Sequence, residues 1–354
     1  MKPTPRLPQP TGPRGLRAVR RVVRAGLAGL FGPPPFDPDA DPGDPGLFGP
    51  ASPSWQVIAE PAAIVGGVRA LLVQLLHPLA MAGVAQHSRF RDDPLERLRN
   101  TSAYVTATTF GSTREALAVA GRVRQAHRYV RGDLRGVPYR AEDPHLLTWV
   151  SVSLTSSFLA TDRAFAPVPV ADATADAFVA EQARAAALLD PRVDLAALAA
   201  DPDALSALRR GVLPLPMIDE GVLPTTVAEL AAMLEGFRPE LALIPEARET
   251  LRFLLWPSIP PTVKAGYLPL LFGALASLEP PERRLLGLRG PSAAYVPTVV
   301  ATRSLVALLR VVAGRSQAVP LATARAQAPV PPAKPTKPAN PTNFTRGSTQ
   351  PLRL

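Results

Sequence analysis

The sequence has no cysteine among its 354 residues. This absence excludes disulfide bonds, thiolate metal sites, iron–sulfur clusters and haem held by a thiolate. Histidine is also scarce, with four copies, and no two of them have the close spacing typical of a zinc motif. Any metal in this chain must therefore be held by histidine or another non-thiolate ligand.

Several functional signatures are missing as well. No apolar run approaches the ~20 residues that span a bilayer, no Gly-x-Ser-x-Gly elbow occurs, and Gly66-Gly67 does not open a phosphate loop. Arg20-Arg21 precedes an apolar stretch, as in a twin-arginine signal, but Arg24 interrupts that stretch and no cleavage site follows. We interpret this segment as a short basic amphipathic helix and expect a cytoplasmic protein.

Proline divides the chain into three parts. Residues 1–50 and 315–354 hold 20 of the 43 prolines, and such stretches bury too little apolar surface to offset the entropy lost on ordering. We therefore predict largely disordered, basic, Pro-rich tails over 1–50 and 315–354. One domain over 51–314 is expected between them.

The net charge of +10 comes mainly from the tails, because residues 51–314 contain 26 basic and 25 acidic residues. A nearly neutral core lacks the basic footprint of a nucleic-acid-binding domain. We expect no specific nucleic-acid partner and at most a weak contact of the basic tails with a membrane surface.

Helical periodicity dominates the core, and strand signals are scarce. The spacing of apolar residues and the Pro/Gly breaks predict an all-α domain with helices over 64–79, 95–110, 115–131, 144–164, 171–189, 226–234, 245–255, 268–278 and 298–312.

The third of these helices carries the most informative histidine. Apolar residues recur every three or four positions over 116–130, so His127 is predicted to point inward. Arg124 and Arg131 lie about one turn before and after it on the same side, and Gly132 is predicted to end the helix. A buried neutral imidazole can ligate haem iron, and guanidinium groups can hold haem propionates. The alternative is a core histidine bonded to a carbonyl, with both arginines in surface ion pairs.

The second helix offers polar partners for this histidine. Arg97 and Thr101 are four residues apart, so a cation and a hydroxyl share one face. Such donors beside haem could stabilise bound dioxygen. The alternative is an ordinary contact between residues four apart at a helix edge. Of the other histidines, we interpret His77 and His87 as structural and His145 as facing solvent.

Seven segments occur in the order found in a known oxygenase family. Together they resemble MpaB and the catalytic domain of latex-clearing rubber oxygenases; they are Gly66 to Pro78, His87 to Pro94, Arg97 to Thr101, Phe110 to Ser112, Val123 to Gly132, Gly136 to Ala141 and Leu147 to Val150.

This resemblance implies an all-α haem b protein with His127 as the proximal iron ligand. It further implies that Arg124 and Arg131 support the haem side of the helix and that Arg97 and Thr101 lie on the distal side.

Two departures limit what the resemblance carries over. Asn100 replaces the distal lysine of the latex-clearing enzymes, and Ser151 stands where relatives often have histidine. We therefore expect an open distal position and a substrate other than polyisoprene. The function predicted is a haem b-dependent oxygenase that uses dioxygen on a hydrophobic small molecule. The alternatives are a non-catalytic haem-binding or sensing protein and a haem-free helical interaction module with basic tails.

Overall fold

The computed structural model describes residues 21, 32–87, 96–257, 261–288 and 295–330. Within these residues the chain forms helices and one β-hairpin, so the predicted all-α class is confirmed. The elements are α1 (Pro53–Ala59), α2 (Ala62–Gln74), α3 (Pro78–His87), α4 (Glu96–Phe110), α5 (Thr113–His127), β1 (Arg131–Leu134), β2 (Val137–Arg140), α6 (Pro144–Phe165), α7 (Asp172–Ala187), α8 (Leu195–Ala200), α9 (Pro202–Arg210), α10 (Pro216–Asp219), α11 (Val227–Phe237), a 3₁₀ turn (Arg238–Glu240), α12 (Pro245–Leu255), α13 (Pro261–Ala276), α14 (Pro280–Leu285), α15 (Val296–Val312) and α16 (Ala318–Gln327).

Helices α2 and α6 form the centre of the fold. A Cβ atom added to Gly66 would lie 2.7 Å from Phe158 Cδ1 and 2.7 Å from Thr161 Oγ1, so only glycine allows this close approach. The buried Arg69 then links the pair to α14, because its guanidinium donates to Ser157 Oγ (2.8 Å) and to Glu282 Oε2 (2.9 Å). Helices α2 and α6 thus pack closely against each other, and other helices pack around them.

Helix starts follow the local capping chemistry. Helix α6 begins at Pro144 because the Asp143 side chain accepts a hydrogen bond from the His145 N–H and Pro144 occupies the first helical position. The predicted helix over 64–79 is instead two helices. Pro78 disfavours helical geometry in the preceding residue, so α2 ends at Gln74 and α3 begins at Pro78.

The histidine helix is shorter than predicted. It ends at His127, and the chain then forms the antiparallel pair β1–β2, in which Gly132 faces Tyr139. Arg135 and Gly136 both have positive φ angles, of 56° and 87°, as a tight two-residue hairpin turn requires. The prediction that the helix continues through Arg131 and ends at Gly132 is therefore wrong, because strand pairing takes over.

The folded part of the chain begins before residue 51 and continues after residue 314, so it includes parts of both predicted tails. Leu47 is fully buried, and helix α16 packs its Arg325 beneath the N-terminal segment, where Arg325 Nε donates to Asp44 O (3.0 Å). Residues 1–20, 22–31 and 331–354, which include most of the predicted amphipathic segment, lie outside the described residues.

No single helix in the described ranges is long and apolar enough to cross a membrane. Taken together, α1 and α2 meet the length and composition test, but they are bent by 87° at their junction.

Candidate functional site

The candidate site is built on the hairpin of α4 and α5. Only Gly111 and Ser112 connect the two helices, which pack against each other as a helical hairpin. Ser112 fixes the start of α5 through a capping box: its hydroxyl accepts from the Glu115 N–H, and Glu115 Oε2 accepts from the Ser112 N–H (2.8 Å).

His127 is the last residue of α5. Its side chain is partly buried, and its Nδ1 atom is buried without a hydrogen-bond partner among the described residues. Burial lowers the pKa of His127, and the nearby Glu142 carboxylate offsets this only in part. The ring is therefore neutral near pH 7, and a neutral imidazole is the form that binds a metal. The sequence predicted that this ring points inward, and in the structure the residue is only partly buried although its Nδ1 atom is buried. Its role as an iron ligand stays a prediction.

Arg124 lies in α5 one turn before His127, as predicted, whereas Arg131 lies in strand β1 and not on the same helix. The Arg124 guanidinium donates to Val193 O and Pro191 O, both at 2.7 Å, and so holds the loop that follows α7. Arg131 begins strand β1 with an exposed side chain, and its carbonyl lies 3.1 Å from His87 Nε2. Their predicted contact with haem remains a prediction.

A cavity of about 800 Å³ opens beside the hairpin. It lies between α2, α4, α6 and the junction of α15 with α16, and Thr101 forms part of its wall. His127 does not line it among the described residues, and the side chain of Arg97 lies outside them. Most of the wall is apolar and includes Phe36, Ile64, Leu71, Val105, Leu154 and Phe158.

One wall of the cavity carries an ion pair. Glu60, which is 6% exposed, accepts hydrogen bonds from Arg315 Nε (2.8 Å) and from Arg310 Nε (3.2 Å). Glu60 and Arg315 both line the cavity. The cavity thus combines a large apolar surface with a few charged side chains, as binding sites for small molecules commonly do.

A group of possible metal ligands lies outside the residues that the sequence predicted for the site. His77, His145 and Glu240 bring their ligand atoms within 4.8 Å of one another. Glu240 Oε2 lies 2.8 Å from His145 Nε2 and 3.4 Å from His77 Nε2. His145 is about half exposed, in line with the expectation that it faces solvent, but its ring is paired. His77 precedes Pro78 and His145 follows Pro144, so the prolines could have indicated that both histidines lie at helix starts. No feature of the sequence indicates that Glu240 lies near them.

Comparison with protein families gives a match to the model described as "ER-bound oxygenase mpaB/B'/Rubber oxygenase, catalytic domain", over residues 55–312. Searches of curated proteins and of solved structures return no match. The family match spans most of the chain and includes α4, α5, the cavity wall at Thr101 and the cluster around His77. The chain therefore belongs to the MpaB and rubber oxygenase family and contains its oxygenase catalytic domain.

Proposed function

We propose that this protein is a haem b-dependent oxygenase in which His127 holds the iron and the substrate is a hydrophobic small molecule. The observation that carries the proposal is the buried, unpartnered Nδ1 of His127. A buried polar atom without a partner costs roughly 1–3 kcal/mol, so it calls for an explanation such as a missing ligand. Family membership supports the coarser conclusion that the chain is an oxygenase.

The residues present fit a haem group in their donor chemistry. With no cysteine in the chain, histidine is the strongest available ligand, and burial keeps the His127 ring neutral by lowering its pKa. The bound haem would supply dioxygen chemistry to the site. Arg131, with its exposed guanidinium, is better placed for a propionate than Arg124, which already donates to two carbonyls.

Two residues of α4 would act on the distal side. Thr101 lines the cavity, and its hydroxyl could donate a hydrogen bond. Arg97 comes one helical turn earlier in α4 and would add a positive charge, as the sequence spacing predicts. Both would stabilise negative charge that develops on dioxygen. Asn100, which is neutral and exposed, provides no strong ligand to close this side.

The cavity supports the class of substrate. A volume of about 800 Å³ with walls such as Phe36, Leu154 and Phe158 suits an apolar molecule of small-ligand size. The Glu60–Arg315 pair would fix the orientation of a polar group on that molecule.

The test is the absorption spectrum of protein purified from haem-supplemented cells. We expect stoichiometric haem in the native chain and its loss in His127→Ala. His87→Ala is the matched control, since His87 is also the last residue of its helix, and this variant should keep its haem. Full haem content and an unchanged Soret band in His127→Ala would refute the ligand assignment. A native protein without a Soret band would favour a haem-free module, and haem without substrate-coupled oxygen uptake would favour a sensor.

A further inference from the structure

We propose that His77, His145 and Glu240 form a mononuclear Zn²⁺ site that is separate from the haem site. The three residues come from the α2–α3 junction, the start of α6 and the 3₁₀ turn, and they are brought together by the fold. Two imidazoles and one carboxylate are ligands that Zn²⁺ favours in catalytic-type sites with three protein ligands.

The spacing of the ligand atoms suits a single ion. Tetrahedral Zn²⁺ with bonds of about 2.0–2.1 Å places its ligand atoms roughly 3.3 Å apart. The Glu240 Oε2 atom is 2.8 Å from His145 Nε2 and 3.4 Å from His77 Nε2. All three ligand atoms lie within 4.8 Å of one another, so side-chain shifts of about 1.5 Å or less, chiefly at the half-exposed His145, would bring them to this spacing.

The backbone holds the ligands in place before any metal binds. The Ala242 N–H donates to Leu76 O at 2.7 Å, so the strand of chain after Glu240 is tied to the residue before His77. His145 is fixed at the start of α6, where its N–H donates to Asp143 Oδ1 (2.9 Å). Such preorganisation reduces the entropy lost when the ligands close around an ion.

His77 provides the second, independent observation. It is 1% exposed, and its Nε2 atom is buried without a hydrogen bond of acceptable geometry. Its Nδ1 atom accepts only a long hydrogen bond, 3.4 Å, from the Ala80 N–H. Neither ring nitrogen therefore has a strong hydrogen bond. A metal on Nε2 would place the ring proton on Nδ1, so the long bond from the Ala80 N–H would be lost and the ring would turn slightly to separate the two donors.

One side of the three-residue cluster is packed against aromatic rings, and the other side is exposed to solvent. The His77 ring packs against Trp149 (centroids 5.6 Å apart) and Phe237 (6.0 Å). This packing holds the His77 ring in one orientation on the buried side of the cluster. Glu240 and His145 have side chains that are 43% and 52% exposed, so the fourth position of the ion would face solvent.

The test measures metal binding to the full-length, chelator-treated protein. We expect one Zn²⁺ per chain by elemental analysis and calorimetry, and a visible spectrum of tetrahedral type when Co²⁺ replaces Zn²⁺. Glu240→Gln should weaken Zn²⁺ binding by about 100-fold, since loss of a charged ligand exceeds the 10–100-fold effect of a supporting residue. Glu235→Gln is the matched control, because Glu235 is exposed and paired with Arg238, and its affinity should stay within about twofold.

Three outcomes would overturn the site: less than stoichiometric binding, equal loss in both glutamate variants, or retained affinity in Glu240→Gln. His145→Ala serves as a second ligand variant, because its half-exposed side chain can be removed with little effect on folding. His127→Ala should keep Zn²⁺ while it loses haem. A failure of the haem assignment therefore leaves the Zn²⁺ result readable, and the reverse also holds.

Discussion

The two ends of the α4–α5 hairpin differ in the hydrogen bonds that hold them. At the closed end, Thr113 is fully buried and donates its hydroxyl to Asp44 Oδ1 (2.8 Å), and Arg325 Nη2 donates to Gly111 O (3.0 Å), although Arg325 Nη1 is buried without a partner. At the open end, His127 leaves Nδ1 buried and unpartnered. Several hydrogen bonds fix the closed end, whereas the open end has an imidazole nitrogen that is available to bind a ligand.

This difference separates stability from function. A buried polar atom without a partner persists only where the rest of the structure holds it in place, and such atoms concentrate at functional sites. The hydrogen bonds of Ser112 and Thr113 fix the junction between α4 and α5. We therefore expect substitutions at the closed end to lower the free energy of unfolding and those at the open end to alter haem binding and turnover.

Among the single substitutions, Arg325→Ala should lower the free energy of unfolding most. The side chain is 2% exposed and donates to Asp44 O and Gly111 O, so its removal leaves two carbonyls unpaired and a cavity. We expect a loss of about 3 kcal/mol in the free energy of unfolding, measured by urea denaturation. Gln327→Ala, on an exposed position of the same helix, should change it by less than about 0.5 kcal/mol.

The same measurement examines the tails. A chain trimmed to 51–314 lacks both Asp44 and Arg325, so we expect it to lose at least as much stability as Arg325→Ala. Equal unfolding energies for Arg325→Ala, the trimmed chain and the native protein would show that the closed end is not the stabilising end.

The sequence was informative where a local cap or proline decides the structure. Pro144 and Pro245 begin α6 and α12 as predicted, because each occupies the first helical position. The short helices α8 and α9 were missed although Asp194 and Asp201 cap them. Their apolar stretches are too short to show a clear helical period, and a capping residue without such a period is not enough to predict a helix.

The open end was harder to predict, because strand pairing overrides the local pattern there. The residues over 128–131 continue a helical spacing, yet β1 pairs with β2 around a turn with Arg135 at a positive φ angle. Such turns usually show Asn-Gly or Asp-Gly, so Arg135-Gly136 gave a weak signal. The His77–His145–Glu240 cluster depends wholly on tertiary packing, and periodicity cannot bring residues so distant in the sequence together.

Arg124→Ala should have an intermediate effect and sharpens the comparison at the open end. Loss of the two 2.7 Å bonds to Val193 O and Pro191 O should cost about 1.5–3 kcal/mol in the free energy of unfolding. Arg131→Ala removes an exposed side chain and should cost less than about 0.5 kcal/mol.

Haem titration of the same two variants separates structural from cofactor roles. If Arg131 holds a propionate, Arg131→Ala weakens haem binding while its stability is unchanged. If Arg124→Ala weakens haem binding more than Arg131→Ala at equal foldedness, the assignment of Arg124 to the loop is incomplete.

Thr101→Val should have the smallest effect, because it removes one hydroxyl and keeps the shape of the cavity wall. A neutral hydrogen bond contributes about 0.5–1.5 kcal/mol, so we expect turnover to fall about fivefold at unchanged haem content. Thr101→Ser keeps the hydroxyl and should restore most of the rate. Ser102→Ala is the matched control, since Ser102 also lines the cavity but points about 100° away around the helix. If Ser102→Ala slows turnover as much as Thr101→Val does, the effect comes from the wall in general, and Thr101 has no special role on the distal side.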